Sequence, residues 1–211
     1  AELYGNVFLS VTAGSTEWPV SVSVAASALK GESVVETNSN VPVGYSLEKK
    51  DGVYTVEFHP VAMIGEKGYA TLNAAVAAVQ DGETITLVAD VTFDEFTRTH
   101  NSGNWYDGLY YIGDKGFTID LNGKTVNAPL FSAFVASTGA ELTIKNGKVV
   151  AYESTVRAIG GKATIESGEY TSTGTALDSP ATYRYSLDCR EGGELIINGG
   201  TFKSNNGMIN V

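Results

Sequence analysis

Phe117-Thr-Ile119-Asp-Leu-Asn-Gly123, Leu142-Thr-Ile144-Lys-Asn-Gly147, Ala163-Thr-Ile165-Glu-Ser-Gly168 and Leu195-Ile-Ile197-Asn-Gly-Gly200 align on their isoleucines. The last three share Ile-x-x-Gly-x followed by Val149, Tyr170 or Phe202. Gly123, Gly147, Gly168 and Gly200 lie 24, 21 and 32 residues apart in chain order. Thr84-Ile85-Thr86-Leu87-Val88 reads as an earlier member without the glycine. Self-similarity at a period in the twenties is the signature of a stacked solenoid. One strand, a glycine-containing bend and a second strand per repeat make it a β-solenoid.

Strand alternation then assigns faces. Leu142 and Ile144 point inward while Thr143 and Lys145 point outward, and Ala163/Ile165 and Leu195/Ile197 repeat the pattern. The next apolar residue lies five positions beyond each isoleucine, an odd offset that would reverse the face of a straight strand. The chain must therefore turn between them, and glycine permits the turn. Asp120, Lys145, Glu166 and Asn198 are expected one above another on the outside, with alternating signs that relieve like-charge contacts. The long gap before Gly200 implies a loop, Asp178 to Tyr185, pushed out of one coil.

Upstream, Thr71 is an N-cap for a helix over Leu72 to Val79, with Leu72, Ala75, Val76 and Val79 at helical spacing and Asp81-Gly82 as its stop. Residues 1 to about 60 read as short strands: Asn6 to Thr12, Val20 to Val24, and Val53 to Phe58 after the turn signal Asp51-Gly52. Lys49-Lys50-Asp51 places charge at that hairpin turn, where it protects an edge. The expected organisation is a small antiparallel, sandwich-like β domain over 1–62, then a capping helix and solenoid over 63–211.

Tyr69-Ala-Thr-Leu-Asn-Ala-Ala-Val-Ala-Ala-Val-Gln-Asp-Gly-Glu-Thr-Ile-Thr-Leu-Val-Ala-Asp-Val and Phe117-Thr-Ile-Asp-Leu-Asn-Gly-Lys-Thr-Val resemble the pectate-lyase-like right-handed parallel β-helix, in the versions carried by surface proteins of gut Gram-positive bacteria. The resemblance spans about residues 69 to 211. It implies an all-β fold of about five coils, with the helix capping the N-terminal end. It implies an extracellular or cell-surface location. On activity the fold is nearly silent, because it hosts lyases, hydrolases, tailspikes and adhesins. No catalytic residue of the family carries over, since no motif of either enzyme type matches.

Composition bounds the rest. The 211 residues carry 24 acidic and 14 basic side chains, a net charge of −10. That balance argues against nucleic acid, which needs clustered Lys and Arg, and against an anionic membrane surface. No run of 18 apolar residues is present, so no membrane insertion is expected. Cys189 is the single cysteine, and His59 and His100 are the two histidines. There is no CxxC and no GxSxG. Cys189 reads as a small buried hydrophobe rather than a nucleophile.

Two stretches carry candidate chemistry. Thr97 to Tyr111 holds Trp105, Tyr106, Asp107 and Tyr110, flat aromatic faces beside hydrogen-bonding groups, as a glycan-binding surface needs. Tyr183, Arg184 and Tyr185 on the later loop add to that set. Asp178, Arg184, Asp188, Arg190 and Glu191 are the acid, base and charge candidates for polysaccharide cleavage. Their simpler reading is loop solvation, with Asp188 paired to Arg190. No cofactor is expected. A calcium site would fall among Asp90, Asp94 and Glu95, without EF-hand spacing to support it.

The reading favours a non-catalytic extracellular structural or adhesive module whose partner is a host or environmental glycan or protein. A β-helix polysaccharide lyase or glycoside hydrolase, and a phage or viral receptor-binding protein, are the alternatives. Gly207-Met208-Ile209-Asn210-Val211 is apolar without a polar cap, so the expectation there is that the chain continues or another chain covers this end.

Overall fold

The computed structural model describes residues 2, 6–8, 23–25, 34–36, 43–51, 53–93, 107–174, 185–205 and 207–211. Contacts divide the chain into two units, Ala1–Pro60 with Tyr69–Thr71, and Val61–Gly68 with Leu72–Val211.

In the first unit, β2 (Ser23–Ala25), β5 (Val53–Phe58) and β4 (Tyr45–Lys50) form an antiparallel sheet in the order β2-β5-β4. Asp51 takes a left-handed conformation (φ 49°) between β4 and β5, as a tight hairpin turn requires. β1 (Asn6–Phe8) and β3 (Val34–Glu36) pair in parallel, so this unit is not wholly antiparallel. The separation between Phe8 and Val34 is long enough for the crossover that a parallel pair demands.

The second unit is an all-β parallel β-helix of five coils, each made of three strands. It opens with β6 (Ala62–Ile64), β7 (Lys67–Tyr69) and α1 (Leu72–Ala78). The first coil is β8 (Thr84–Leu87), β9 (Val91–Thr92) and β10 (Asp107–Tyr111). The second is β11 (Gly116–Asp120), β12 (Thr125–Ala128) and β13 (Ser132–Ser137). The third is β14 (Glu141–Lys145), β15 (Lys148–Ala151) and β16 (Val156–Ile159). The fourth is β17 (Lys162–Ile165), β18 (Glu169–Ser172) and β19 (Tyr185–Arg190). The fifth is β20 (Glu194–Ile197), β21 (Thr201–Ser204) and β22 (Gly207–Asn210).

The coils stack into three sheets. The first runs β20-β17-β14-β11-β8-β6-β7, the second β21-β18-β15-β12-β9 and the third β10-β13-β16-β19-β22. Strands of successive coils pair in parallel, and at the start of the first sheet β6 pairs antiparallel with β8 and carries β7 at the edge. α1 packs on β6 and β8, and its Leu72, Ala75 and Val76 are buried.

Register aligns the apolar files. Ile85, Ile119, Ile144, Ile165 and Ile197 lie one above another in the first sheet. The first four are fully buried, and each such side chain contributes ~1.5–3 kcal/mol on leaving water. Val91, Val126, Val149, Tyr170 and Phe202 form the file of the second sheet. There the Tyr170 and Phe202 rings stack 5.2 Å apart, and burial raises the Tyr170 phenol well above its ordinary pKa. Leu109, Phe134, Val156, Leu187 and Ile209 make the third.

The bend between the first and second sheets is where glycine is obligatory. A Cβ on Gly147 would lie 2.3 Å from Leu121 Cβ and 2.6 Å from the Lys124 carbonyl oxygen of the coil before. Gly168 (φ +121°) would meet the Gly147 carbonyl oxygen at 2.6 Å. The turns stack as tightly as the strands do.

The third strand of each coil is absent from the two-strand repeat read off the sequence. β13 is buried at all six positions, so it shows no alternation of apolar and polar residues. Its counterparts share no motif with it.

Replacing Ile144 by Asp places a carboxylate inside the file without a partner. The expected loss exceeds ~4 kcal/mol and unfolds the chain. Lys145→Ala, one residue on and facing out, changes stability by less than about 0.5 kcal/mol. Circular dichroism melts of the two variants check this, and equal effects would refute the register.

Candidate functional site

The third sheet concentrates the buried polar groups. Along it, register places Tyr110, Val135, Arg157, Asp188 and Asn210 in one file, on the face opposite Leu109, Phe134, Val156 and Leu187. Phe134 meets Phe93 edge to face at 6.3 Å. Yet the charged file is buried too: Asp188 is 0% exposed and Arg157 4%. Polar neighbours accompany it. Thr155 Oγ1 donates to the Ser186 carbonyl at 2.7 Å, Ser132 Oγ donates to Glu153 Oε2 at 3.2 Å, and Ser172 Oγ donates to the Glu153 carbonyl at 2.6 Å.

Asp188 is the centre. Arg157 Nε, one coil back, donates to its Oδ2 at 3.0 Å. Arg190, two residues on along the same strand, donates through Nε at 2.8 and 2.9 Å and also through Nη2. Asn210 Nδ2, one coil forward, donates to Oδ1 at 2.8 Å. Burial alone would raise the carboxyl pKa. The hydrogen bonds from Arg190 and Asn210, with the charges of Arg157 and Arg190, outweigh it and hold the group below the usual carboxylate range. Asp188 is thus an anion at neutral pH, tying the third, fourth and fifth coils together. A carboxylate saturated in this way is a poor general base and cannot serve as an acid at neutral pH.

The other candidates disperse. Glu191 is exposed in the turn after β19, in a left-handed conformation (φ 56°). Cys189 Sγ donates to the Gly193 carbonyl at 3.3 Å, and burial, with the Asp188 charge next, raises its thiol pKa. That suits an inert thiol rather than a nucleophile. Asp90 Oδ1 accepts from the Thr125 N–H at 2.8 Å. Among the described residues no three His, Cys, Asp or Glu side chains gather as a metal-ion cluster.

Of the glycan-binding set, Trp105, Tyr106, Tyr183 and Arg184 lie outside the described residues, as do Asp94, Glu95, His100 and Asp178. Asp107 begins β10 and pairs with Ser132. Tyr110 is half-buried and shares a 2.9 Å hydrogen bond with Ser137 Oγ. Tyr185 begins β19, its ring filling the space where a Gly207 side chain would stand 2.3 Å away. Tyr110 and Tyr185 are three coils apart, ~14 Å at the usual strand spacing, and alternate onto opposite faces of the sheet. The structure does not bring these two together.

Arg157, Ser137 and Asn210 were not singled out from the sequence. Arg157 left a signal: a lone charge in Val156-Arg-Ala-Ile159, which otherwise reads as core. Its opposite number Asp188 interrupts Leu187-Asp-Cys189 in the same way.

No family model, curated protein or solved structure matches the chain.

Removing the anion leaves Arg157 buried against another cation. Asp188→Ala is expected to cost ~3–5 kcal/mol. Because the folded-state pKa of Asp188 lies below the unfolded value, its contribution is complete above the ordinary carboxylate range. It is lost as pH falls through the folded pKa. Urea denaturation from neutrality down to about pH 2 should show this acid loss in the wild type and a smaller one in Asp188→Asn.

Proposed function

We propose that the chain is a non-catalytic structural and adhesive module of a bacterial cell-surface protein, acting outside the cell and binding glycan through its loop aromatics. One observation carries the non-catalytic half. Asp188, one of the acids considered for polysaccharide cleavage, is instead hydrogen-bonded to side chains of three coils. An enzyme of this fold needs a carboxylate free to exchange a proton or an oxygen-ligand set for a cation. Here the buried acid does neither.

The adhesive half rests on chemistry in the sequence. Trp105, Tyr106 and Tyr183 offer ring faces for stacking on sugars, and Asp107 and Arg184 supply hydrogen-bonding partners. The cell-surface assignment rests on the resemblance of residues 69–211 to solenoids of that setting. A stacked solenoid supports it physically, since it sets loops at fixed intervals on a rigid spine.

A panel of uronate-containing and neutral glycans tests the reading. Binding without turnover is expected, and Trp105→Ala should weaken it at least about tenfold, or ~1.4 kcal/mol. Appearance of ultraviolet absorbance from new unsaturated sugar ends would overturn it in favour of a lyase. Release of reducing ends without that absorbance would favour a hydrolase.

A further inference from the structure

The outward face of the first sheet carries an ordered charge pattern. Its middle file is Thr84, Thr118, Thr143, Thr164 and Ile196, by register. On one side of the threonines stand Gly116, Glu141, Lys162 and Glu194. On the other stand Asp120, Lys145, Glu166 and Asn198. Signs alternate along each flank. They also alternate across the threonines: the third coil reads Glu141-Thr143-Lys145 and the fourth reads Lys162-Thr164-Glu166.

Within one chain, this pattern pairs neighbouring coils. Lys145 Nζ stands 3.4 Å from Asp120 Oδ2, Lys162 Nζ stands 3.8 Å from Glu194 Oε2, and Asn198 Nδ2 donates to Glu166 Oε1 at 2.9 Å. These groups keep access to solvent: the Lys145, Lys162 and Glu194 side chains are 35%, 37% and 61% exposed.

The same checkerboard is complementary to itself. We propose that this face is a docking surface for a second copy of the chain, related by a two-fold axis running along the threonine file. Such an axis exchanges the two flanks. Glu141 then meets Lys145 of the second copy, and Lys162 meets Glu166 of the second copy. Each of these contacts occurs twice, as an isologous interface requires. Gly116 falls opposite Asp120 and Glu194 opposite Asn198, so no like charges face each other. Thr118, Thr143 and Thr164 lie on the axis against their own counterparts, small enough for two sheets to approach to the usual ~10 Å.

Alternative placements fit less well. Sliding one copy along by one coil sets Glu141 against Glu166 and Lys145 against Lys162. An axis along the strands also pairs opposite charges, Glu141 with Lys162 and Lys145 with Glu166, but overlays four coils where the axis along the threonines overlays all five. The favoured arrangement runs both solenoids in the same direction, as neighbours on one surface would stand.

The patch is small. Five strands at ~4.8 Å and five residues at ~3.3 Å give on the order of 400 Å² per copy, well under the ~800 Å² of a stable complex. The contact is therefore weak, salt-sensitive and favoured where copies are concentrated side by side. It does not depend on whether glycan is bound.

Sedimentation velocity over a concentration series tests it. At low ionic strength the weight-average sedimentation coefficient of the wild type should rise with concentration, and high salt should abolish the rise. Glu141→Lys sets like charges against Lys145 of the second copy and should lower the association constant at least about tenfold. Glu141→Lys/Lys145→Glu in one chain restores the cross-pair and should restore association. The same double change would set like charges together under an axis along the strands, so it discriminates the two arrangements. Thermal melts confirm that each variant is folded. Should Glu141→Lys not fold, Glu141→Gln removes the attraction without the repulsion and should weaken association by a smaller factor. Concentration-independent sedimentation of the wild type at low salt, undiminished association of folded Glu141→Lys, or failure of the folded double variant to regain association would each overturn the proposal.

Discussion

Parallel stacking in register makes each coil of this protein depend on the one before it. Ile119, Ile144 and Ile165 are buried because an isoleucine lies directly above and below each of them, at the spacing of backbone hydrogen bonds. A single coil has no interior. It acquires one only when its neighbours close over it, so the apolar files, the three hydrogen-bonded ladders and the turn stacks form together or not at all. The glycines at the first bend obey the same constraint, since any side chain on Gly147 would collide with the preceding turn. This is why the sequence repeats: each coil is shaped by having to match the next.

That dependence also explains which parts of the fold could be read in the sequence. The first sheet is buried on one face and solvated on the other, so it writes its register as alternation: Thr-Ile-Asp, Thr-Ile-Lys, Thr-Ile-Glu. The bend writes itself as glycine, and the helix as Leu72, Ala75 and Val76 at helical spacing. The third sheet writes no such pattern, because Ser132 to Ser137 is buried on both faces and two-fold periodicity vanishes. The parallel pairing of β1 with β3 was hidden for a different reason. Alternation shows which face of a short strand is apolar but not which strand it pairs with. In the candidate site, Asp188 and Arg190 were visible because they lie two residues apart on one strand. Arg157 and Asn210 join them only through the stacking of coils, at separations of 31 and 22 residues.

The ion cluster gives that stacking a specificity the apolar files lack. An aliphatic file tolerates a slipped coil, since one isoleucine replaces another at little cost. Asp188 does not tolerate it: a slip would move Arg157 and Asn210 off the carboxylate and leave charges buried without partners. The cluster sits in the sheet with the least regular sequence, and β19, which carries Asp188, follows β18 only after the stretch between Ser172 and Tyr185. Registration by side-chain chemistry is most useful there, where repetition alone says least about which coil follows which.

A division of labour between the faces follows. The third sheet buries its charges and commits them to one another, so what it holds is geometry. The first sheet leaves its charges in water, where each intrachain ion pair contributes little to stability. Charges that do little for the fold are the ones that remain able to meet a partner. Their order along and across the threonine file is more regular than stability demands, because neighbouring strands need only alternate along the stack. Alternation across it, with Glu141 opposite Lys145 and Lys162 opposite Glu166, has no use within one chain, whose flanks lie ~13 Å apart, beyond direct contact. It matches what a copy of the same face would present.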